Sequence, residues 1–220
     1  MKGEINYGLY FVTDRSLMSS PTQEESVAQA LAGGCTVVQL REKTLSSREF
    51  YETALRVRRI CADAGIPLII NDRADIARAV NADGVHVGQS DLPPRAVREI
   101  IGDGNIVGVS VSSLEEALQA ERDGADYLGV GAMFATGTKT DTRFPGMEGL
   151  RAIRAATRLP LVAIGGINKT TIPLFAGTGI DGIAVVSAIA AAEDVRAAAA
   201  ELGELFFALA RQNGSGDIRS

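Results

Sequence analysis

The sequence predicts an α/β fold, a single (β/α)8 TIM barrel over residues 1–212. Three observations predict it. Short apolar runs alternate with helical segments from end to end, those segments open with helix-start signals, and a helix-ending turn recurs at regular spacing. The strand-like runs occupy residues 7–12, 36–40, 67–70, 84–87, 106–109, 127–130, 161–164 and 182–186. They are short and β-branched with little polar alternation, as expected of parallel strands buried on both faces.

The helices follow from their first turns. Thr22…Glu25, Ser46…Glu49 and Ser112…Glu115 read as capping boxes, in which hydroxyl and carboxylate satisfy orphan amides reciprocally. Pro93 and Pro94 suit a first turn, where a missing N–H costs little. Residues 48–64 and 195–210 read as the longest helices. Gly33-Gly34-Cys35, Ala82-Asp83-Gly84, Gly124-Ala125-Asp126 and Gly179-Ile180-Asp181-Gly182 each end a helix and feed a strand. They recur about every 45–55 residues, two βα units per period. An open doubly wound sheet would have fewer strands and a glycine-rich first turn, which this chain lacks. Residues 134–145 form a long polar connection, a lid candidate, and residues 213–220 read as a flexible tail.

The bulk properties exclude several functions. A 46% hydrophobic and 22% charged composition can bury one sizeable core. The net charge of -5 offers no basic surplus for non-specific nucleic-acid binding. No apolar run approaches the ~20 residues that span a bilayer, and Met1-Lys2-Gly3-Glu4 does not open a signal peptide, so cytoplasmic residence is expected. Cys35 and Cys61 lack partners at metal-ligand spacing and read as small buried hydrophobes.

A barrel builds its site at the carboxyl ends of its strands, which sorts the polar residues by position. Gln39, Arg41 and Lys43 follow one parity from the second run and point to one side, though parity does not say which. Arg41 and Lys43 suit phosphate oxygens; a solvated charge run is the alternative. Asp72 follows the third run and Asp91 the fourth, so two carboxylates on neighbouring strands can approach one ion such as magnesium, or can cap the following helices. Ile164-Gly165-Gly166-Ile167 and Val185-Val186-Ser187-Ala188 end the seventh and eighth runs, where barrels often bind phosphate. Thr136-Gly137-Thr138-Lys139 adds hydroxyls and a cation after the sixth. Ser110 either donates into the mouth or begins a helix. His86, the single histidine, sits in an apolar strand and reads as a pocket-lining residue rather than a base. With no Ser/His/Asp arrangement and no lysine in an apolar strand, the inventory suits stabilising a departing anion better than covalent catalysis.

Taken together, these motifs resemble the thiamine-phosphate synthase family. The resemblance runs from Tyr10-Phe11-Val12-Thr13-Asp14 to Ala188-Ile189 and includes Gln39-Leu40-Arg41-Glu42-Lys43, Asn71-Asp72, Gly84-Val85-His86-Val87-Gly88-Gln89 and Gly108-Val109-Ser110. It implies a cytoplasmic transferase that joins a hydroxymethylpyrimidine diphosphate to a thiazole phosphate and releases diphosphate. It also implies one Mg2+ per active site held by Asp72 and Asp91. Gln39, Leu40, Arg41, Glu42, Lys43, Asn71, Ser110 and Lys139 would bind the pyrimidine diphosphate, with Arg41, Lys43, Ser110 and Lys139 closest to the chemistry. Thr136, Gly137, Thr138, Gly166, Val186 and Ser187 would meet the thiazole phosphate. The implied partners are small molecules, with neither nucleic acid nor membrane, and a homo-oligomer is left open. Ala132 and Ala135 stand where family members often carry proline. A thiazole tautomerase of the same superfamily and a non-catalytic phosphate-ligand barrel are the rival readings; Arg41, Lys43, Asp72, Asp91 and Lys139 argue against the first.

Overall fold

Each expected strand forms, and each pairs in parallel with the next. The computed structural model describes residues 5–135 and 144–214. Its strands are β1 (Leu9–Val12), β2 (Val37–Leu40), β3 (Leu68–Asn71), β4 (Gly84–Val87), β5 (Ile106–Val111), β6 (Tyr127–Val130), β7 (Leu161–Ile164) and β8 (Gly182–Val185). They follow one another in chain order, and β8 pairs with β1 to close the barrel. Around it lie α1 (Gln23–Ala32), α2 (Ser47–Asp63), α3 (Ala74–Val80), α4 (Pro94–Ile101), α5 (Leu114–Arg122), α6 (Gly146–Ala156), the short α7 (Ser187–Ala190) and α8 (Val195–Gly214). Among the described residues, no helix is long and apolar enough to cross a membrane.

The period-2 alternation divides the core into two. Leu9, Phe11, Val38, Leu40, Leu68 and Ile70 face outward and pack beneath the helices. Tyr10, Val12, Val37, Ile69, Ile106, Tyr127, Val162 and Ala184 face inward and fill the barrel. The inward positions continue toward the carboxyl ends as Gln39, Asn71, His86 and Ser110, so the interior is apolar below and polar above. That change of chemistry along one face positions the site.

Local expectations hold with three differences. Ser46 and Glu49 form the full capping box, and Thr22 Oγ1 accepts from the Glu25 amide at 3.1 Å. The third cap moves by one residue, because β5 runs to Val111 rather than ending at 109: Ser113 Oγ accepts from the Glu116 amide, and Glu116 accepts from the Ser112 amide. The connection after β7 is a single 3-10 turn, Ile172–Phe175, in which Pro173 has no N–H to continue an α-helix. Helix α8 extends to Gly214, beyond the expected 210 and into the tail expected from 213; residues 215–220 lie outside the described ones. Cys35 and Cys61 are buried and unbridged, and burial pushes both thiols up to about 12.

The recurring turn has a physical basis at the amino-terminal face. Asp83 Oδ2 accepts from the Leu68 amide at 2.8 Å, Asp126 Oδ2 from Val107 at 2.7 Å and Asp181 Oδ2 from Leu161 at 2.8 Å. Each aspartate thus joins the start of an odd-numbered strand to that of the next even one. Each also meets an arginine from an even-numbered helix: Arg58 at 3.6 Å, Arg98 at 2.7 Å and Arg154 at 3.1 Å. Thr36 Oγ1 makes the corresponding bond to the Leu9 amide at 3.0 Å. The two-unit period is therefore a repeated strand-pairing device, placed on the face that serves stability.

Gly108 lies opposite Tyr127 in register, and a Cβ there would stand 2.1 Å from the tyrosine Cζ. Gly108→Ala is expected to destabilise the barrel by about 1–3 kcal/mol through overpacking. Thermal unfolding should show a Tm loss of about 2–12 °C. An unchanged Tm would mean that the ring yields freely.

Candidate active site

A cavity opens at the carboxyl ends of the strands, and its walls come from nearly every strand of the barrel. Gln39, Arg41, Asn71, His86, Ser110, Gly166, Val186 and Ser187 line it, together with Val12, Asp14, Gly129, Gly131, Ala132, Ile164, Gly165 and Ile167. Residues from β1 through β7, with two from just beyond β8, are distant in sequence and meet in one space.

The β2 end divides by parity. Gln39 is buried, and its Nε2 donates to the Tyr10 hydroxyl at 2.9 Å. Arg41 lines the cavity, and its Nη1 donates to Asp14 Oδ2 at 2.8 Å. Its backbone is pinned as well: the Arg41 amide donates to Thr13 Oγ1 at 3.0 Å, and the Thr13 amide to the Gln39 carbonyl at 2.9 Å. Leu40 and Glu42 point the other way. Leu40 joins the core under the helices, and buried Glu42 accepts from Arg15 Nε and Gln23 Nε2. Their side chains do not line the main cavity; Glu42 instead lines a second depression with Asp14, Arg41 and Lys43. The run thus presents two faces, with Gln39 and Arg41 lining the cavity and Leu40 and Glu42 packed away from it.

Lys43 continues the cavity parity but lies at the rim, where its ammonium pairs with Asp72. Asp72 takes a left-handed backbone conformation, φ 62°, that few side chains other than Asn and Asp adopt readily. Its amide donates to the His86 carbonyl at 2.8 Å, locking the β3 end against β4. Asp91 Oδ2 accepts from the Gly88 amide at 2.8 Å, closing the turn after β4. Neither carboxylate lines the main cavity. Asn71, which does line the cavity, has a buried Nδ2 with no hydrogen-bond partner. A buried donor facing a cavity without a partner marks a place for a ligand acceptor.

On another wall Gly165 and Gly166 turn with φ 95° and 68°. Added β-carbons would stand 2.6 Å from Ala132 Cβ and 2.7 Å from Phe134 Cβ, so glycine is needed for conformation and for space. Val186 and Ser187 begin α7 beside them. Ser110 is on β5 itself, not in the loop after it, and its Oγ lies 2.8 Å from His86 Nε2. Thr136, Gly137, Thr138 and Lys139 lie outside the described residues, as does most of the 134–145 lid candidate. Asp14 carries a role that the sequence reading does not assign. Its position just after a strand, like that of Asp72, is the signal that marks it.

Residues 9–189 match the family model described as thiamine monophosphate synthase. A thiamine-phosphate synthase of Clostridium beijerinckii is 58% identical over 206 residues, covering 94% of this chain and 99% of that protein. One of Ruminiclostridium cellulolyticum is 56% identical over 206 residues, covering 94% and 98%. The solved thiamine phosphate pyrophosphorylase of Pyrococcus furiosus superposes with a TM-score of 0.86 at 45% identity, over 93% of this chain and 97% of that one.

Proposed function

The chain belongs to the thiamine monophosphate synthase family of transferases, and from that premise we propose how its barrel mouth joins a hydroxymethylpyrimidine diphosphate to a thiazole phosphate. The step is dissociative: the bond from the pyrimidine methylene carbon to the diphosphate oxygen breaks first, and the thiazole ring nitrogen then bonds to the pyrimidine-methyl cation that results. The diphosphate leaves with the electron pair, giving thiamine phosphate. The nitrogen already holds a lone pair, so no protein base is required. The protein's task is to hold two anionic substrates together and to stabilise the leaving charge.

Arg41, oriented by Asp14, and Lys43 at the rim supply positive charge to the diphosphate, with Lys139 assigned to the same work. Gln39, Asn71 and Ser110 hold the pyrimidine half; the unpaired Asn71 Nδ2 supports this assignment. The Gly165–Gly166 turn, Val186 and Ser187 take the thiazole phosphate, with Thr136, Gly137 and Thr138 contributing from the β6 loop. Leu40 and Glu42 act through their backbone, since their side chains serve the outer layer.

Asp72 and Asp91 fit a magnesium site in chemistry. They are hard oxygen donors on neighbouring strand ends, and Asp91 keeps one carboxylate oxygen beyond its bond to Gly88. Among the described residues no cluster of three or more His, Cys, Asp or Glu exists, so water and substrate oxygens would complete the shell. The chemistry such an ion supplies when bound is charge neutralisation on the departing diphosphate. Substrates bearing this much charge do not pass a bilayer unaided, which supports a cytoplasmic enzyme.

The observation that carries the reading is that Arg41, the unpaired Asn71 amide and the Gly165–Gly166 turn face one cavity. Diphosphate release is the test. Release should require both substrates and magnesium, match thiamine phosphate formation, and fall at least about 100-fold on chelation. Isomerisation of a thiazole phosphate without diphosphate release, or binding without turnover, would overturn it.

A further inference from the structure

A line of hydrogen bonds crosses the barrel beneath the cavity. Gln39 Nε2 lies 2.9 Å from the Tyr10 oxygen, which lies 2.7 Å from the Tyr127 oxygen. Tyr127 is 2.8 Å from His86 Nδ1, and His86 Nε2 is 2.8 Å from Ser110 Oγ. Both ends of the line, Gln39 and Ser110, line the cavity; the tyrosines between them are fully buried.

We propose that Tyr10, Tyr127 and His86 are positioning residues whose hydrogen bonds all run in one direction and leave the Ser110 hydroxyl as a donor into the cavity. The direction follows from counting protons. An amide nitrogen only donates, so Tyr10 accepts from Gln39 and gives its single proton to Tyr127. Tyr127 then gives its own proton to His86 Nδ1. That nitrogen must be bare, so the neutral ring carries its proton on Nε2 and donates it to Ser110 Oγ. The hydroxyl proton of Ser110 is left for a ligand acceptor. At the other end Gln39 keeps its carbonyl oxygen, an acceptor.

Two independent features show that the fold makes room for this line. Gly108 stands opposite Tyr127, where a side chain would overlap the ring. Gly129 stands against His86, where an added Cβ would lie 3.0 Å from the imidazole Cε1. Burial also raises both phenols, Tyr10 and Tyr127, above their usual range, so each keeps the proton that the line requires. A flat heteroaromatic ring with a nitrogen acceptor toward Ser110 and an amine toward Gln39 matches this polarity. On the function proposed above, that ring is the aminopyrimidine, and the line sets which way it lies before the diphosphate departs.

The single histidine makes the test direct. Protein made with 15N-histidine and without a histidine tag gives one imidazole in a long-range 1H–15N spectrum. Near neutral pH and without substrate, it should show a neutral ring protonated at Nε2. A ring protonated at Nδ1, or at both nitrogens, would overturn the proposal. In Tyr127→Phe the spectrum should lose that preference. The kcat/KM for the pyrimidine diphosphate should fall about tenfold, the worth of one buried hydrogen bond, with the KM for the thiazole phosphate unchanged. Unaltered kcat/KM in this variant would also overturn the proposal. The wild-type spectrum needs no turnover, so a chain that fails to release diphosphate leaves the tautomer result standing on its own.

Discussion

Asp72→Asn is expected to lower kcat about 100- to 1000-fold while the barrel stays folded. Asparagine tolerates the left-handed backbone at this position, φ 62°, and keeps the amide bond to the His86 carbonyl. Alanine would add backbone strain and blur the result. The change removes one charge. Lys43 loses its carboxylate partner, and the proposed cation site loses one of its two hard ligands. The ion pair itself adds little to stability, because the Lys43 side chain is 52% exposed. Diphosphate release across a magnesium titration, with thermal unfolding in parallel, separates the two effects. Near-parental turnover with the same magnesium requirement would remove Asp72 from the site.

Arg41→Met should be comparably severe, with a rate loss of about 100- to 1000-fold and a higher KM for the pyrimidine diphosphate. Methionine preserves most of the aliphatic stem but not the planar fork. In the folded chain one arm of that fork is held by Asp14 at 2.8 Å, and the residue lines the cavity, where the proposed role gives the rest of the fork to phosphate oxygens. Arg41→Lys should restore little, since one ammonium cannot both pair with Asp14 and span two oxygens. Steady-state kinetics with each substrate varied in turn reads the outcome. Parental kcat and KM in Arg41→Met would exclude a role in holding the diphosphate.

Much of this architecture is legible without coordinates. The eight strands lie where short β-branched runs meet helix-ending turns, and their limits shift by two residues at most. The caps at Thr22 and Ser46 are read directly. The shift at Ser113 was not legible, because it depends on how far β5 pairs with β6. Gln39, Asn71 and Ser110 can be singled out as polar groups in or just beyond buried strands. Leu40 and Glu42 look the same in a motif and part company only in space.

Spacing within a strand decides which side chains share a face, because successive Cβ atoms alternate. It therefore groups Gln39 with Arg41 and sets Leu40 with Glu42. Which of those faces looks into the barrel was settled when β8 closed against β1, since closure turns one side of every strand inward at once. The same closure brings Tyr10 to Tyr127 across 117 residues and His86 to Tyr127 across 41. Local propensity carries no information about such partners. Only a ring of strands, with glycines at 108 and 129 leaving room at its centre, sets those hydroxyls and that imidazole in line.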